Sequence, residues 1–194
     1  MSRIAILGGS FNPPHLGHQL ICAWALGTDQ AEAVWLLPVF RHAFDKPLAP
    51  FEHRVAMCHL TAAPFASGAI EVCTLEAELS APSRTLVTFQ HLIARHPQHA
   101  FSLVVGADVL SQTPDWYRFD ELERLVPLVV VGRAGHSATG AGLPLATVSS
   151  TEVRWRLAHG LAVDHLVPRA VCDYIRQHRL FGDPDREAHR RPQA

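Results

Sequence analysis

Residues 8–18, GGSFNPPHLGH, crowd three glycines, two prolines and two histidines between a short apolar run and an apolar helical pattern. Gly8 and Gly9 allow a sharp turn and let a ligand approach the backbone. Pro13 and Pro14 fix φ and carry no N–H, which suits a rigid approach to a helix. His15 and His18 are three apart, so a helix starting near Pro14 sets both imidazoles on one face, with Gly17 keeping that face open. Two imidazoles and glycine backbone at the positive end of a helix dipole form a site for an anion, phosphate above all. Two other readings compete with it. The histidines could simply cap the helix, or H-x-x-H could bind a metal with a distant third ligand such as Asp108 or His42. Neither GxxxxGK[ST] nor GxGxxG is present, so the P-loop and dinucleotide-binding fingerprints do not apply to this stretch.

A second stretch, SSTEVR (149–154), has the same chemistry. Ser149 and Glu152 have capping-box spacing, which by itself marks only a helix start. Ser150 and Thr151 add hydroxyls at that start, and Arg154 lies one turn beyond Ser150. Hydroxyls, N–H groups and a guanidinium converging there could hold a polyphosphate. Two such helix starts in one α/β domain suggest a nucleoside triphosphate lying across a sheet.

The rest of the chain supplies the elements that must position these residues. Short apolar runs at 3–7, 33–38, 69–73, 101–106, 127–132 and 145–149 read as strands. Helical patterns follow the first box through residues 18–26 and recur at 51–62, 83–96, 116–125, 150–160 and 168–180. Strands apolar throughout suit a sheet covered on both faces, and their alternation with helices predicts right-handed βαβ units and a doubly wound, mostly parallel α/β sheet. Ligands of such sheets bind beyond the carboxyl ends of the strands, where the strand order reverses. Residues 1–182 are read as one domain. The Gly-, Ala- and Ser-rich stretch 133–145 reads as a mobile loop, and the polar tail 183–194 as disordered.

The 194 residues allow one core burying roughly two-thirds to three-quarters of the unfolded surface, and 48% apolar with 18% charged residues marks a folded globule. The formal net charge of -1 argues against non-specific nucleic-acid or anionic-membrane binding. Cys22, Cys58, Cys73 and Cys172 form no CxxC pair, so packed thiols in a reducing compartment are expected rather than disulfides or a zinc ribbon. Only four apolar residues separate Arg3 from Gly8, too few for a signal peptide or membrane span, and the protein is expected to be cytoplasmic. Of thirteen histidines, His96, His99, His178 and His189 sit singly beside Pro, Arg or Gln and read as solvated surface imidazoles.

GGSFNPPHLGH resembles the (T/G)GxFxPxHxGH motif of the nucleotidylyltransferase superfamily, and VSSTEVR resembles its second motif, ISSTxxR. Between them, GADVLSQTPDWYRFDEL is similar to the GxD…W segment of bacterial nicotinate mononucleotide adenylyltransferases. LVPRAVCDYIRQHRLF is similar to their C-terminal helix, so the resemblance runs from Arg3 to about Phe181. It implies a Rossmann-like fold and a reaction in which nicotinate mononucleotide takes the adenylyl group of ATP, giving deamido-NAD and pyrophosphate, with Mg²⁺ arriving with ATP. Catalysis would be positioning and charge stabilisation without a protein nucleophile.

Carried over position by position, the resemblance implies that His15 and His18 contact the ATP phosphates and stabilise the α-phosphate transition state. Ser150, Thr151 and Arg154 would hold the β- and γ-phosphates, Arg154 serving catalysis as well. Gly8, Gly9, Ser10 and Phe11 would run along both nucleotides, Ser10 and Phe11 reaching the mononucleotide. Gly106 and Asp108 would lie near the ribose, with Asp108 shared by both substrates. Trp116 would stack on the pyridine ring, against the alternative of a core aromatic. Lys46, with His42, would meet the mononucleotide phosphate. Arg133 would reach the ATP end, or stand as a solvated loop charge.

Two departures from the family pattern bear on this. Asn12 replaces a frequent Asp, and an amide still donates and accepts hydrogen bonds. SRTLVTF (83–89) stands where many members read SYTxxTL, placing Arg84 near the nicotinate end. Arg84, or the backbone N–H groups beside it around Thr85, could meet the nicotinate carboxylate and favour acid over amide; a solvated first-turn arginine is the competing reading. ATP and nicotinate mononucleotide are the expected partners, with no nucleic acid or membrane and a homo-oligomer possible. An enzyme for nicotinamide mononucleotide or another phosphorylated acceptor, a non-catalytic nucleotide-binding domain, and a histidine-rich metal-dependent hydrolase are the alternatives.

Overall fold

The computed structural model describes residues 1–41, 47–79, 82, 84–107, 115–132 and 148–182. Five strands, β1 (Ser2–Gly9), β2 (Ala33–Pro38), β3 (Ile70–Val72), β4 (His99–Gly106) and β5 (Leu128–Val131), form one parallel sheet in the order β3-β2-β1-β4-β5. The helices are α1 (Leu16–Gly27), α2 (Phe51–Ala62), α3 (Thr85–Arg95), α4 (Phe119–Leu125), α5 (Ser150–Ala158) and α6 (Arg169–Gln177). A 3-10 turn at Leu75–Ala77 also follows β3. The chain winds outward from β1 through β2 to β3, then returns to place β4 on the other side of β1. The reversal therefore lies between β1 and β4, which opens a crevice at their carboxyl ends.

Alternation along the strands covers both faces. Ile4 and Ile6 join Trp35, Leu37, Phe101, Leu103 and Val105 beneath Leu86, Phe89 and Leu92 of α3 and Leu122 of α4. Ala5 and Leu7 point the other way, with Val34, Leu36, Val104 and Val131, onto Ile21, Cys22 and Ala25 of α1 and Cys58 of α2. A further cluster around Met57, Val153, Val167, Val171 and Ile175 binds α5 and α6 to the outer side of α2.

The expected doubly wound α/β sheet is present, with differences in detail. Helix α4 starts at Phe119, not 116, because Arg118 takes the left-handed conformation (φ 53, ψ 49) and interrupts the helical run. Residues 145–147 of the sixth expected strand lie outside the described residues, and Val148 and Ser149 belong to no strand but lead into α5. The loop 133–145 and tail 183–194 also lie outside them. His96 and His99 are not simply solvated: both are half-buried and stand edge-on to Trp35. His178 stacks on Tyr174.

Candidate nucleotide-binding site

The last paired positions of β1 and β4 are Leu7 and Val104, so Gly9 and Gly106 stand two residues further on at the mouth of the crevice. A Cβ on Gly8 would meet no atom within 4 Å, leaving the strand end open to a ligand. Beyond it Phe11 is buried at 1% exposure with φ 45, a left-handed conformation that costs a non-glycine residue about 1–3 kcal/mol. Its packing among Leu7, Ile21 and Cys22 holds that turn. The half-buried Ser10 precedes it.

His15 is the N-cap of α1, in extended conformation and 3% exposed. Its backbone N–H donates to His18 Nδ1 at 3.1 Å. A ring nitrogen accepting that bond carries no proton, so the proton of neutral His18 sits on Nε2, which becomes a donor. The two imidazoles stack with centroids 3.8 Å apart, and the Phe11 ring lies 4.8 Å from His18 on a tilted face. His18, half-buried, is thus held between Phe11 and His15. Gly17 makes room for this stack: a Cβ there would lie 2.9 Å from His15 Nδ1.

The second box is laced to the first. Arg154 Nη1 donates to Asn12 O at 2.7 Å across 142 residues, and its Nη2 to Thr151 Oγ1 at 3.4 Å. Ser150 Oγ donates to Pro13 O at 2.8 Å. Ser149 caps α5 by accepting the Glu152 N–H at 3.1 Å, while the Glu152 carboxylate pairs with Arg156. The helix-start reading of SSTEVR therefore holds, and the same segment also carries Arg154 onto the loop between β1 and α1.

Arg84 and Trp116 come from the neighbouring strand ends. Arg84 is the exposed N-cap of α3, with half-buried Thr85 as the first helical residue. The guanidinium carbon of Arg84 lies 4.0 Å from the centre of the Tyr117 ring. Trp116 is half-buried, packed against the α3 side of the core and edge-on to Phe119 at 6.0 Å. His42, Lys46, Asp108 and Arg133 lie outside the described residues.

Sequence reasoning missed Arg54. It is 1% exposed, and its guanidinium donates to Ala49 O (2.9 Å), Ser10 O (3.0 Å), Val39 O (2.7 Å) and Phe40 O (3.4 Å). Burial presses its pKa down, while Cys58, Glu76 and Glu52 work in the opposite direction. Buried Glu76 accepts the Phe40 N–H at 3.1 Å and the Thr88 hydroxyl at 3.3 Å. Asn12 Oδ1 accepts the Ala49 N–H at 2.9 Å. One cation thus ties together the segments after β1, after β2 and before α2. A signal was available: Arg54, Met57, Cys58 and Thr61 are the buried residues of α2, spaced as one helix face, so the arginine had to point inward.

The donors gathered here are imidazole, guanidinium, hydroxyl and backbone N–H, which match phosphate oxygens rather than a cation. Among the described residues no group of three or more His, Cys, Asp or Glu side chains could hold a metal ion. No described helix is long and apolar enough to cross a membrane.

A doubly wound parallel sheet with two helix starts laced together at its reversal point has the architecture of a nucleotidyltransferase-type α/β domain. Residues 6–156 match the cytidylyltransferase-like family, and the chain belongs to it. The chain is 49% identical over 182 residues to a protein of Anaeromyxobacter sp. (strain K), covering 92% of this chain and 96% of that one. It is 42% identical over 181 residues to a protein of Myxococcus xanthus (strain DK1622), covering 93% and 95%. Both relatives are named as probable nicotinate-nucleotide adenylyltransferases. In fold, the chain is similar to the nicotinic acid mononucleotide adenylyltransferase of Plasmodium falciparum solved with NaAD. The TM-score is 0.79 at 19% identity, over 93% of this chain and 98% of that one.

Proposed function

We propose that this protein transfers the adenylyl group of ATP to nicotinate mononucleotide, releasing pyrophosphate and forming deamido-NAD. The observation that carries this reading is the lacing of Arg154 onto the HxGH loop beside a His18 ring whose Nε2 is the donor. Relatives named for this activity over nearly their whole length support it.

In the reaction a phosphate oxygen of the mononucleotide attacks the α-phosphorus of ATP, and the bond to the β-phosphate oxygen breaks. The non-bridging oxygens of the α-phosphate gain charge, and donors fixed beforehand stabilise that charge without reorganising. His18 Nε2–H and His15 serve this role, and Arg154 with Thr151, Ser150 and the start of α5 binds the β- and γ-phosphates that leave. Gly8, Gly9, Ser10, Phe11 and Gly106 let both nucleotides approach the strand ends closely. Asp108 is assigned to the ribose, Lys46 and His42 to the mononucleotide phosphate, Arg133 to the ATP end, and Arg84, Thr85 and Trp116 to the pyridine ring. Mg²⁺ carried in by ATP would supply neutralisation of the triphosphate charge, consistent with a donor set built for phosphate.

Pyrophosphate release from Mg-ATP, run in parallel with nicotinate mononucleotide and nicotinamide mononucleotide, tests this. Release with preference for the acid is expected. Release with neither acceptor would overturn the assignment.

A further inference from the structure

Asn12 is 1% exposed and accepts hydrogen bonds from two directions. Its backbone carbonyl takes Arg154 Nη1 of α5 at 2.7 Å, and its side-chain Oδ1 takes the Ala49 N–H, just before α2, at 2.9 Å. The Ala49 carbonyl in turn accepts Arg54 Nε at 2.9 Å, and Arg54 Nη1 donates to Ser10 O at 3.0 Å. Ser10 stands two residues before Asn12, so the path Asn12–Ala49–Arg54–Ser10 closes on itself through the backbone. Arg154 is attached to this ring at Asn12, and Ser150 fastens the next residue, Pro13.

Asn12 and Arg54 are both buried at 1% exposure, so breaking a link of the ring leaves a polar group unpaired away from water, at the full cost of its desolvation. The loop after β1 and the segment before α2 therefore shift together. We infer that Asn12 is a positioning residue that couples the two substrate sites: its carbonyl holds Arg154, and its side chain holds Ser10 in place through Ala49 and Arg54. A ligand that restrains Arg154 restrains the Ser10 end in advance, and linkage makes the effect reciprocal. In-line attack depends on that relative placement. The inference rests on the proposed function, which assigns Arg154 to the ATP phosphates and Ser10 to the mononucleotide, and adds Asn12, to which that reading gives no role.

The test is the affinity for Mg²⁺-loaded α,β-methylene-ATP, measured by calorimetry without and with saturating nicotinate mononucleotide. It is run on the wild type, Asn12→Asp, Asn12→Leu and Ala49→Pro. Asn12→Asp keeps an oxygen acceptor, whereas Asn12→Leu keeps the branched shape without one. Ala49→Pro removes the N–H at the other end of the same bond, on a half-buried loop residue. In the wild type the mononucleotide tightens the analogue about five-fold or more, the lower end of coupling between sites. Asn12→Asp retains that ratio, while Asn12→Leu and Ala49→Pro bring it close to one. Lost stability alone lowers the amount of folded protein and leaves the ratio unchanged, and where Asn12→Leu does not fold, Ala49→Pro decides. A wild-type ratio of one, a ratio kept by Ala49→Pro or by folded Asn12→Leu, or a ratio lost in Asn12→Asp overturns the inference while adenylyl transfer itself stands. A wild type that binds neither the analogue nor nicotinate mononucleotide overturns the underlying reading instead.

Discussion

The His15 backbone N–H donates to Nδ1 of His18 at 3.1 Å, so the first residue of the H-x-x-H pair sets the tautomer of the second. The main chain thereby leaves Nε2 as the proton-bearing nitrogen of a neutral His18. The stacked rings, 3.8 Å apart, leave little rotational freedom to undo it.

His18→Ala should lower turnover by about 10²–10³-fold, the scale of one lost transition-state donor. His18 is only half-buried, so thermal unfolding should stay close to that of the wild type. Near-normal turnover by this variant would remove His18 from the mechanism.

Gly17→Ala sets two effects against each other. Gly17 is the second residue of α1, where alanine gains at most the helix-interior advantage of about 0.5–1 kcal/mol over glycine. The new Cβ, however, falls 2.9 Å from Nδ1 of an His15 ring that is 3% exposed and cannot swing away, and overpacking of that kind costs about 1–3 kcal/mol. The expected balance is a lower urea midpoint together with reduced turnover. A variant more stable than the wild type and fully active would show that the imidazole stack can shift.

Arg54→Met removes a cation that four carbonyl oxygens and the field of Glu76 accommodate. Leaving such buried acceptors unpaired should destabilise the fold by about 3 kcal/mol or more, read by chemical denaturation. Because Arg54 anchors Ser10, which the proposed function assigns to the mononucleotide, KM for that substrate should rise in whatever folded protein remains. A methionine variant with wild-type stability would show that the carbonyls find other donors.

Burial pushes the Cys22 thiol up to about 12 from an ordinary value of 9.0. The native state thus keeps a proton that the unfolded state releases, so this contribution to stability is fully present below about pH 9 and is lost as pH rises toward 12. Native protein near pH 8 should accordingly leave Cys22 unalkylated, with labelling only after denaturation. Fast labelling of Cys22 in the native state would contradict the packing shown by α1.

Much of this molecule was written in local order. Ile4 to Leu7 and Leu103 to Val105 are apolar without a break because both faces of their strands are covered, and that composition is readable residue by residue. GGSFNPPHLGH and SSTEVR were equally legible, since a turn, a helix start and its dipole depend on neighbours within a few positions. The Arg118 kink that delays α4 was not legible: a left-handed arginine has no strong local signature, and the surrounding contacts decide it. Nor could spacing alone show that Arg154 would reach Asn12 or that Ser150 would bond Pro13, because only the tertiary fold sets the start of α5 against the loop between β1 and α1. The same holds for Arg54, whose charge is tolerable only where carbonyls from three separate segments converge, and for Arg84, which meets Tyr117 only because α3 and α4 pack together. Sequence determined the elements and the chemical character of the site, through short-range sterics and hydrophobic period. Tertiary structure decided which long, flexible cations were immobilised and on what, because that depends on groups brought together from distant parts of the chain.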